Sequence, residues 1–442
     1  MELDMTKGAP LKLIGQFIGP VILGNIFQQF YSMVDTIIVG RYVGVQALAA
    51  VGMTGTIMFL ILGFVMGMTT GFTVITSQRF GAGDYEGVKK SIGSAVTLSA
   101  IVVVIVTFLS QRYMDKLLVL MNTPEDIYDM AKTYILIICG GIALSVLYNL
   151  MASVLRAIGN SKVPLYFLIF SAFLNIFLDL FFILNLNMGV AGAAWATILS
   201  QGISGILCVL YIMKYVEIAR IRPEHLKLEF YLAKNQLYIG IPMALQFSIT
   251  AVGTTLVQSA LNLFGSTVVA SYTAACKVEQ FITQPFAAMG MTMATYCGQN
   301  RGLNDWKRIR EGARSANLLS GAYALIVYGV AVLIMPYVVG IFVTGDVTEV
   351  ITYANTYIRI VGTCFIPLGM IFIFRNVLQG CGYSFIPMMG GVVELIVRAI
   401  FAEIAVHYHS YEGVCMANAG AWLATGVFLL IAYWIIMRKK PR

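Results

Sequence analysis

Charge and imidazole are scarce in this sequence. Asp, Glu, Lys and Arg make up 11% of its 442 residues, and only three residues are His. A soluble domain of ordinary composition carries about 25% charged residues, so a soluble fold is a poor match. His225, His407 and His409 fall in expected loops or at a span end, which leaves neither a His-rich metal site nor a His-centred catalytic set. The seven cysteines form no CxxC pair and lie mostly in or at the ends of apolar runs, where a thiol packs as a small apolar group. The chain therefore reads as no enzyme and as needing no cofactor. The opening residues, "MELDMTKGAPLK", lack the short apolar core of a cleavable signal, so none is expected. The alternating segments of about 10 residues that build outer-membrane barrels are missing as well.

What is present is apolar length. Hydrophobic residues make up 59% of the chain, and the mean hydropathy is +0.83. A helical span needs about 20 apolar residues, and about twelve such runs occur, at roughly 13–38, 51–75, 92–111, 133–155, 164–186, 190–213, 238–263, 275–297, 315–341, 353–376, 385–407 and 413–437. The expected fold is an all-α integral membrane protein. The net charge of +8 follows from orientation. With the N-terminus inside, about 22 of the Lys and Arg residues fall on the inner face and about four (Arg41, Arg112, Lys116 and Lys132) on the outer face, the positive-inside bias. That bias accounts for the basicity without a nucleic-acid partner. It implies a multi-pass protein of the inner (plasma) membrane with both termini cytoplasmic.

The sequence matches itself at an offset of 221 to 223 residues. "QRFGAGDY" (78–85) faces "QNRGLNDW" (299–306), "AKTYI" (131–135) faces "ANTYI" (354–358), "VLRAIGNSKVP" (154–164) faces "VLQGCGYSFIP" (377–387), and Pro20 faces Pro242. The expected organisation is two pseudo-symmetric six-helix halves, 1–213 and 237–442, joined by a charged cytoplasmic linker, 214–236. Six spans is an even number, so the halves share one orientation, and parallel repeats of this kind occur in transporters with a substrate site between them. The Gly-X-X-Asp-aromatic loops read as turns with helix N-caps.

Polar groups inside the spans stand out against this background. An ionised Asp near the bilayer centre costs about 2.5–3.5 kcal/mol, and such residues normally face a cavity or a partner. The first span carries Asn25, Gln28, Ser32 and Asp35 on one helical face, with Tyr31 one turn before Asp35. The fifth places Asn175 and Asp179 four apart, and the sixth carries Thr197. Counted at about 1.5 Å per residue, Asp35, Asp179 and Thr197 reach one level in the outer half of the membrane, with Asn175 a turn deeper and Asn149 deeper still. Two carboxylates with amide, hydroxyl and phenol oxygens suit Na⁺ at Asp35, Asn175, Asp179 and Thr197, or a proton shared between the acids. Close carboxylates do not both ionise cheaply. Pro20 interrupts the first helix and gives it a place to bend.

The second half lacks the acid pair. Val257 stands opposite Asp35, Arg398 opposite Asn175 and Ala402 opposite Asp179. Its seventh span instead shows a polar stripe that includes Gln246 and Gln258. Lys277 and Glu279 follow in the eighth span, and Glu394 and Arg398 in the eleventh, four apart and able to pair along one face. Whether these charges meet substrate or hold structure stays open.

These features together resemble the multidrug and toxic compound extrusion (MATE) family of antiporters over nearly the whole chain, most specifically in "IGPVILGNIFQQFYSMVDTIIVGRYVGVQALAAVG". Pro20, Tyr31 and Asp35 stand where that family has its bending proline, tyrosine and essential aspartate. Asn149, Asn175, Asp179 and Thr197 fall at its cation-site spacing. The resemblance implies export of bulky, often cationic organic compounds against H⁺ or Na⁺ by rocking-type alternating access, by a monomer in the bilayer. Asn25, Gln28, Gln246 and Gln258 are candidates for its substrate cavity. A lipid-linked oligosaccharide flippase of the same superfamily is the alternative. No acid stands in the seventh span, where some members have one.

Overall fold

A computed structural model describes residues 3–121, 123–342 and 348–441; Met1 and Arg442, the outer ends of the two expected halves, lie outside that range. No strand occurs among the described residues. The α-helices are α1 (Pro10–Ile38), α2 (Val45–Gly81), α3 (Tyr85–Leu120), α4 (Glu125–Gly140), α5 (Ile142–Ala157), α6 (Lys162–Leu180), α7 (Val190–Tyr215), α8 (Phe230–Leu261), α9 (Ser266–Gly302), α10 (Trp306–Phe342), α11 (Thr348–Gly362), α12 (Phe365–Gly380), α13 (Phe385–His407) and α14 (Tyr411–Arg438). Among the described residues, nine stretches are individually long and apolar enough to cross a membrane. Two bent pairs, α4 with α5 (49°) and α11 with α12 (51°), bring the number to 11. The remaining long helix, α9, is more polar because it carries Lys277, Glu279, Gln280 and Gln284. With it the chain has the twelve helical passes expected of the all-α membrane fold.

The bends were not expected, since the sequence shows each of these spans as one apolar run. They fall at equivalent places in the repeat, at Gly141 and at Thr363–Cys364. A Cβ on Gly141 would collide with Ile198, so α7 packs against bare backbone at the break. Other turns repeat too. Gly83 (φ 73°) and Asn304 (φ 60°) hold the same left-handed position in the two loops, a conformation open to Gly and tolerated by Asn. Asp84 then caps α3, accepting from Gly87 N–H at 2.9 Å, and Asp305 accepts from Arg308 N–H at 3.0 Å at the start of α10. The expected turn-plus-cap reading is thus what the loops show. The Gly87 N–H and the neighbouring Arg79 guanidinium hold the Asp84 carboxyl below the usual carboxylate range.

Packing divides the chain into two units: Met1–Met5 with Gly19–Phe247, and Thr6–Ile18 with Ser248–Arg442. The division runs through α1 between Ile18 and Gly19, and through α8 between Phe247 and Ser248. Residues 214–236, expected as a linker, pack within the first unit. Gln236 donates to Ser91 O at 2.8 Å and accepts from Ser94 Oγ at 2.6 Å. His225 is buried, its Nδ1 accepting from Arg222 N–H at 2.9 Å and its Nε2 lying 2.9 Å from Glu86. Lys90 pairs with Glu229 at 2.9 Å. The charges of this segment therefore fasten it to α3.

The first half of α8 joins the first unit through small residues. A Cβ on Gly71 of α2 would sit 2.5 Å from the Cα of Gly240, and one on Gly67 would sit 2.7 Å from the Cα of Ala244. Close backbone approach through small residues is how helices associate in lipid, where no hydrophobic drive operates between them. Gly71→Leu should therefore destabilise the folded protein by about 1–3 kcal/mol. A thermal unfolding midpoint of the detergent-purified variant equal to that of the unaltered protein would show that this contact is not tight.

Candidate functional site

The first unit buries two carboxylates. Asp35 lies on α1, 8% exposed, and Asp179 on α6, fully buried beside the equally buried Asn175. Each acid stands just before a change in helix geometry. After Ile38 the backbone passes into a π-helical turn, Val39–Val43, and after Leu180 into another, Phe181–Asn185. Gly44 N–H donates to Val39 O at 3.2 Å and Leu186 N–H to Phe181 O at 3.3 Å, both spanning five residues. Single π turns inside helices are rare and concentrate at functional sites. The two π turns touch each other. At the end of α8, the repeat mate of α1, a 3-10 turn (Asn262–Phe264) stands in place of the π turn, and α13, the mate of α6, stays α-helical to His407. The acids and the distorted backbone thus occur in the same half.

The carboxyl groups of Asp35 and Asp179 lie within hydrogen-bonding reach of each other. Two ionised carboxylates only accept, so this contact becomes a bond only when one of them holds a proton or a cation joins them. As carboxylates, Oδ1 of Asp35, both Asp179 oxygens and both side-chain polar atoms of Asn175 have no hydrogen-bond partner among the described residues. Buried polar atoms without partners are uncommon and call for an explanation. Thr197 Oγ1 donates to Ala193 O at 3.0 Å, which leaves its lone pairs available. The set is three kinds of hard oxygen (carboxylate, amide and hydroxyl), the chemistry that suits hard cations.

Of the other expected members, Tyr31 reaches the same place, with its hydroxyl within hydrogen-bonding reach of Thr197 and Gln201 on α7. Asn149 on α5 donates to Ser145 O of its own helix at 2.8 Å, and no contact joins it to the acids. Ser32 and Gln28, which share the Asp35 face in sequence, are exposed, and Asn25 is half-buried. Gln246 is buried in the first unit, whereas Gln258 is exposed in the second and donates to Asn262 at 2.9 Å. Pro20 stands inside α1, two residues past the division between units. Two further residues adjoin the site, Gln201 beside Tyr31 and Tyr134 beside the acids. Gln201 follows Thr197 by four and was legible as its helical neighbour. Tyr134 on α4, 3% exposed, lies within electrostatic reach of Asp35, Asp179 and Tyr31; its sequence signal is the repeat, where it stands opposite Tyr357.

In the second unit Arg398 pairs with Glu394 at 2.8 Å, the i,i+4 pairing expected, and Arg375 approaches the same acid at 3.4 Å. Nε and Nη1 of Arg398 have no hydrogen-bond partner among the described residues. Glu279 accepts from the Tyr357 hydroxyl, and Asn418 donates to Tyr357 and Tyr272 at 3.2 and 3.0 Å. Lys277 is exposed.

Comparison with known proteins agrees with this architecture. The MatE family model matches residues 20–181 and again 242–404, two matches that begin 222 residues apart, at the offset of the internal repeat. The chain is 30% identical over 379 residues to the probable multidrug resistance protein YpnP of Bacillus subtilis, covering 86% of this chain and 84% of that protein. It is 25% identical over 452 residues to the probable multidrug resistance protein YoeA of the same organism, covering 99% and 96%. Among solved structures, the outward-facing conformation of a multidrug resistance MATE family transporter of the MOP superfamily superimposes with a TM-score of 0.93 at 22% identity, covering 99% and 98% of the two chains.

The geometry of the acid pair makes a prediction that needs no transport assay. Asp179→Asn removes one of two facing carboxylates and supplies a donor to Asp35. In sodium-free buffer at pH near 8, purified Asp179→Asn should be more stable than the unaltered protein by about 1–3 kcal/mol. A lower unfolding midpoint for this variant would mean that the two acids are held by partners of their own.

Proposed function

The chain belongs to the MatE family and is a transporter, and we propose that it is a secondary active antiporter exporting bulky, often cationic organic compounds in exchange for H⁺ or Na⁺. The observation that carries this reading is the buried Asp35–Asp179–Asn175 cluster, whose polar atoms lack partners and which no basic side chain faces. A proton on one acid, or a sodium ion held by Asp35, Asp179, Asn175 and Thr197, would satisfy it. Tyr31 orients Thr197, and Asn149 is a more distant member. Cargo meets the exposed polar groups Gln28 and Gln258, with Asn25 and Gln246 beside them on the same helices. The multidrug names of the relatives support a broad cargo class. The basic segment 214–236 and both termini face the cytoplasm, and the protein acts as a monomer in the inner membrane.

Coupling follows from linkage. A ligand moves a two-state equilibrium only by the difference in its affinity for the two states. Ion and cargo therefore favour different states of a rocking cycle, and ion entry drives cargo release outward. The moving joint lies in α1 and α8, which pass from one unit to the other. Pro20 and Pro242 have no N–H, so the carbonyls four residues before them, on Gln16 and Tyr238, lose their helical donor, and each helix can bend there. A flippase taking an anionic headgroup gains some support from the unpartnered guanidinium nitrogens of Arg398.

The deciding experiment is dye efflux from vesicles under an imposed H⁺ or Na⁺ gradient. Asp35→Asn should insert and fold at normal yield and lose gradient-driven export by at least about tenfold. Asn175→Ala should raise the ion concentration for half-maximal export. Full export by a well-expressed Asp35→Asn protein would falsify the antiport reading, and transport of an anionic lipid-linked sugar without either gradient would favour the flippase.

A further inference from the structure

The second unit contains a cavity of about 980 Å³ walled by α10, α12 and α14. Its lining is graded along its length. Lys307, Arg310 and Arg314 from the first turns of α10, with Arg438 and Lys440 at the end of α14, gather at one end. Farther along come Ile366, Met370 and Phe374 of α12 and Leu430 of α14. From Lys307 to Ser320 the lining follows α10 for about 20 Å. Trp434 and Tyr433 stand between the charged and apolar ends, as aromatic residues do at the level of lipid headgroups. Among the described residues no carboxylate lines the cavity.

Three of the five cations are already engaged. Arg310 donates to Pro441 O at 2.6 Å and to Met437 O at 3.5 Å, tying the end of α14 to α10. Lys440 sits 5.0 Å over the Trp306 ring and Arg438 5.2 Å over Trp434. Lys307 and Arg314 are exposed and form no ion pair among the described residues. This end of the unit holds the basic α9–α10 loop and the C-terminal segment, the side placed in the cytoplasm above. A cationic cargo would be repelled here, so the cavity is separate from the proposed transport path.

We infer that this cavity is a binding site for an anionic phospholipid of the cytoplasmic leaflet, its phosphate held by Lys307 and Arg314 and its acyl chains lying along α12 and the apolar part of α14. Basic pockets between membrane helices on this side bind anionic headgroups, and each cation near the surface strengthens attraction roughly fivefold. The graded lining matches an amphiphile and not a free ion, because a free phosphate has no use for the apolar end.

The test is native mass spectrometry of the delipidated full chain in detergent, titrated with phosphatidylglycerol and, separately, phosphatidylcholine. Phosphatidylglycerol should bind more tightly. Lys307→Gln with Arg314→Gln should weaken it by about thirtyfold and leave phosphatidylcholine unchanged. Lys227→Gln with Lys234→Gln, an equal charge change at exposed positions outside the cavity, should keep the preference. Asn317→Trp, which fills the cavity and keeps every charge, should lower phosphatidylglycerol binding as well. Equal binding of the two lipids, or a preference untouched by both cavity variants, overturns the proposal. So does displacement of phosphatidylglycerol by millimolar inorganic phosphate, which would assign the cations to a soluble anion.

Discussion

Two carboxyl groups, brought together inside an apolar bundle with no basic side chain beside them among the described residues, are the constraint around which the first unit is built. Each would cost about 2.5–3.5 kcal/mol as an isolated charge at the centre of a span, and proximity adds to that cost. Nothing in the fold requires them. Val257 and Ala402 occupy the equivalent positions in the second half, where both are buried apolar residues. The α1 and α6 helices pass into π turns just beyond their acids, with Thr197 on α7 and Tyr134 on α4 nearby. Buried polar atoms left this poorly satisfied call for an explanation, and the proposed one is a proton or a small hard cation, which fits oxygen atoms of these kinds.

The internal repeat makes the comparison sharper. Backbone features common to both halves mark what the fold needs: bends at Gly141 and Thr363–Cys364, left-handed turns at Gly83 and Asn304, and the Asp84 and Asp305 caps. Features found in one half mark what was added. The first half adds the acid pair and the π turns. The second adds the Arg375–Glu394–Arg398 cluster, the Glu279–Tyr357 bond and the basic cavity. Two copies of one scaffold have therefore been given different chemistry, acidic in one and mixed in the other.

Much of this was legible in the sequence, and the reasons are physical. Apolar runs fix spans because lipid satisfies no backbone group outside a helix. Asp35, Asn175, Asp179 and Thr197 were legible because a polar group at that depth is expensive and helical spacing assigns its face. The break of the fourth and tenth passes was hidden, because Gly140–Gly141 and Gly362–Thr363 look apolar enough to continue a span and what matters is the packing of Ile198 against bare backbone. Tyr134 was obscure for a related reason: the repeat matches it to Tyr357, but a tyrosine near the end of a span is ordinary, and only the fold turns this one toward the acids. The π turns leave no periodic trace either, since each comes at the end of its helix and too few residues follow to reveal the shifted face. Residues 214–236 looked like a linker because they are charged, yet Gln236 and His225 fasten them to α3.

The exchange of helix segments between the units has a mechanical consequence. The segment of α1 before Gly19 packs with the second unit and the remainder with the first, and α8 does the reverse between Phe247 and Ser248. Of the three places where the chain passes from one unit to the other, the one between Met5 and Thr6 precedes α1 and the other two lie inside these helices. A continuous α-helix resists bending because each turn is tied by its own hydrogen bonds, and proline removes one of those ties. Pro20 lies two residues past the crossing in α1, and Pro242 five residues before the crossing in α8. On α1 the same helix carries, fifteen residues beyond Pro20, the aspartate whose charge an ion would change. Under the proposed coupling, a change of charge at Asp35 would alter the packing of the half of α1 that belongs to the first unit, and the weakened turn at Pro20 would be the nearest place for the helix to yield. The two prolines and the single acid pair thus place the soft joint and the group that would drive it on one helix, while α8 supplies a joint without a driver.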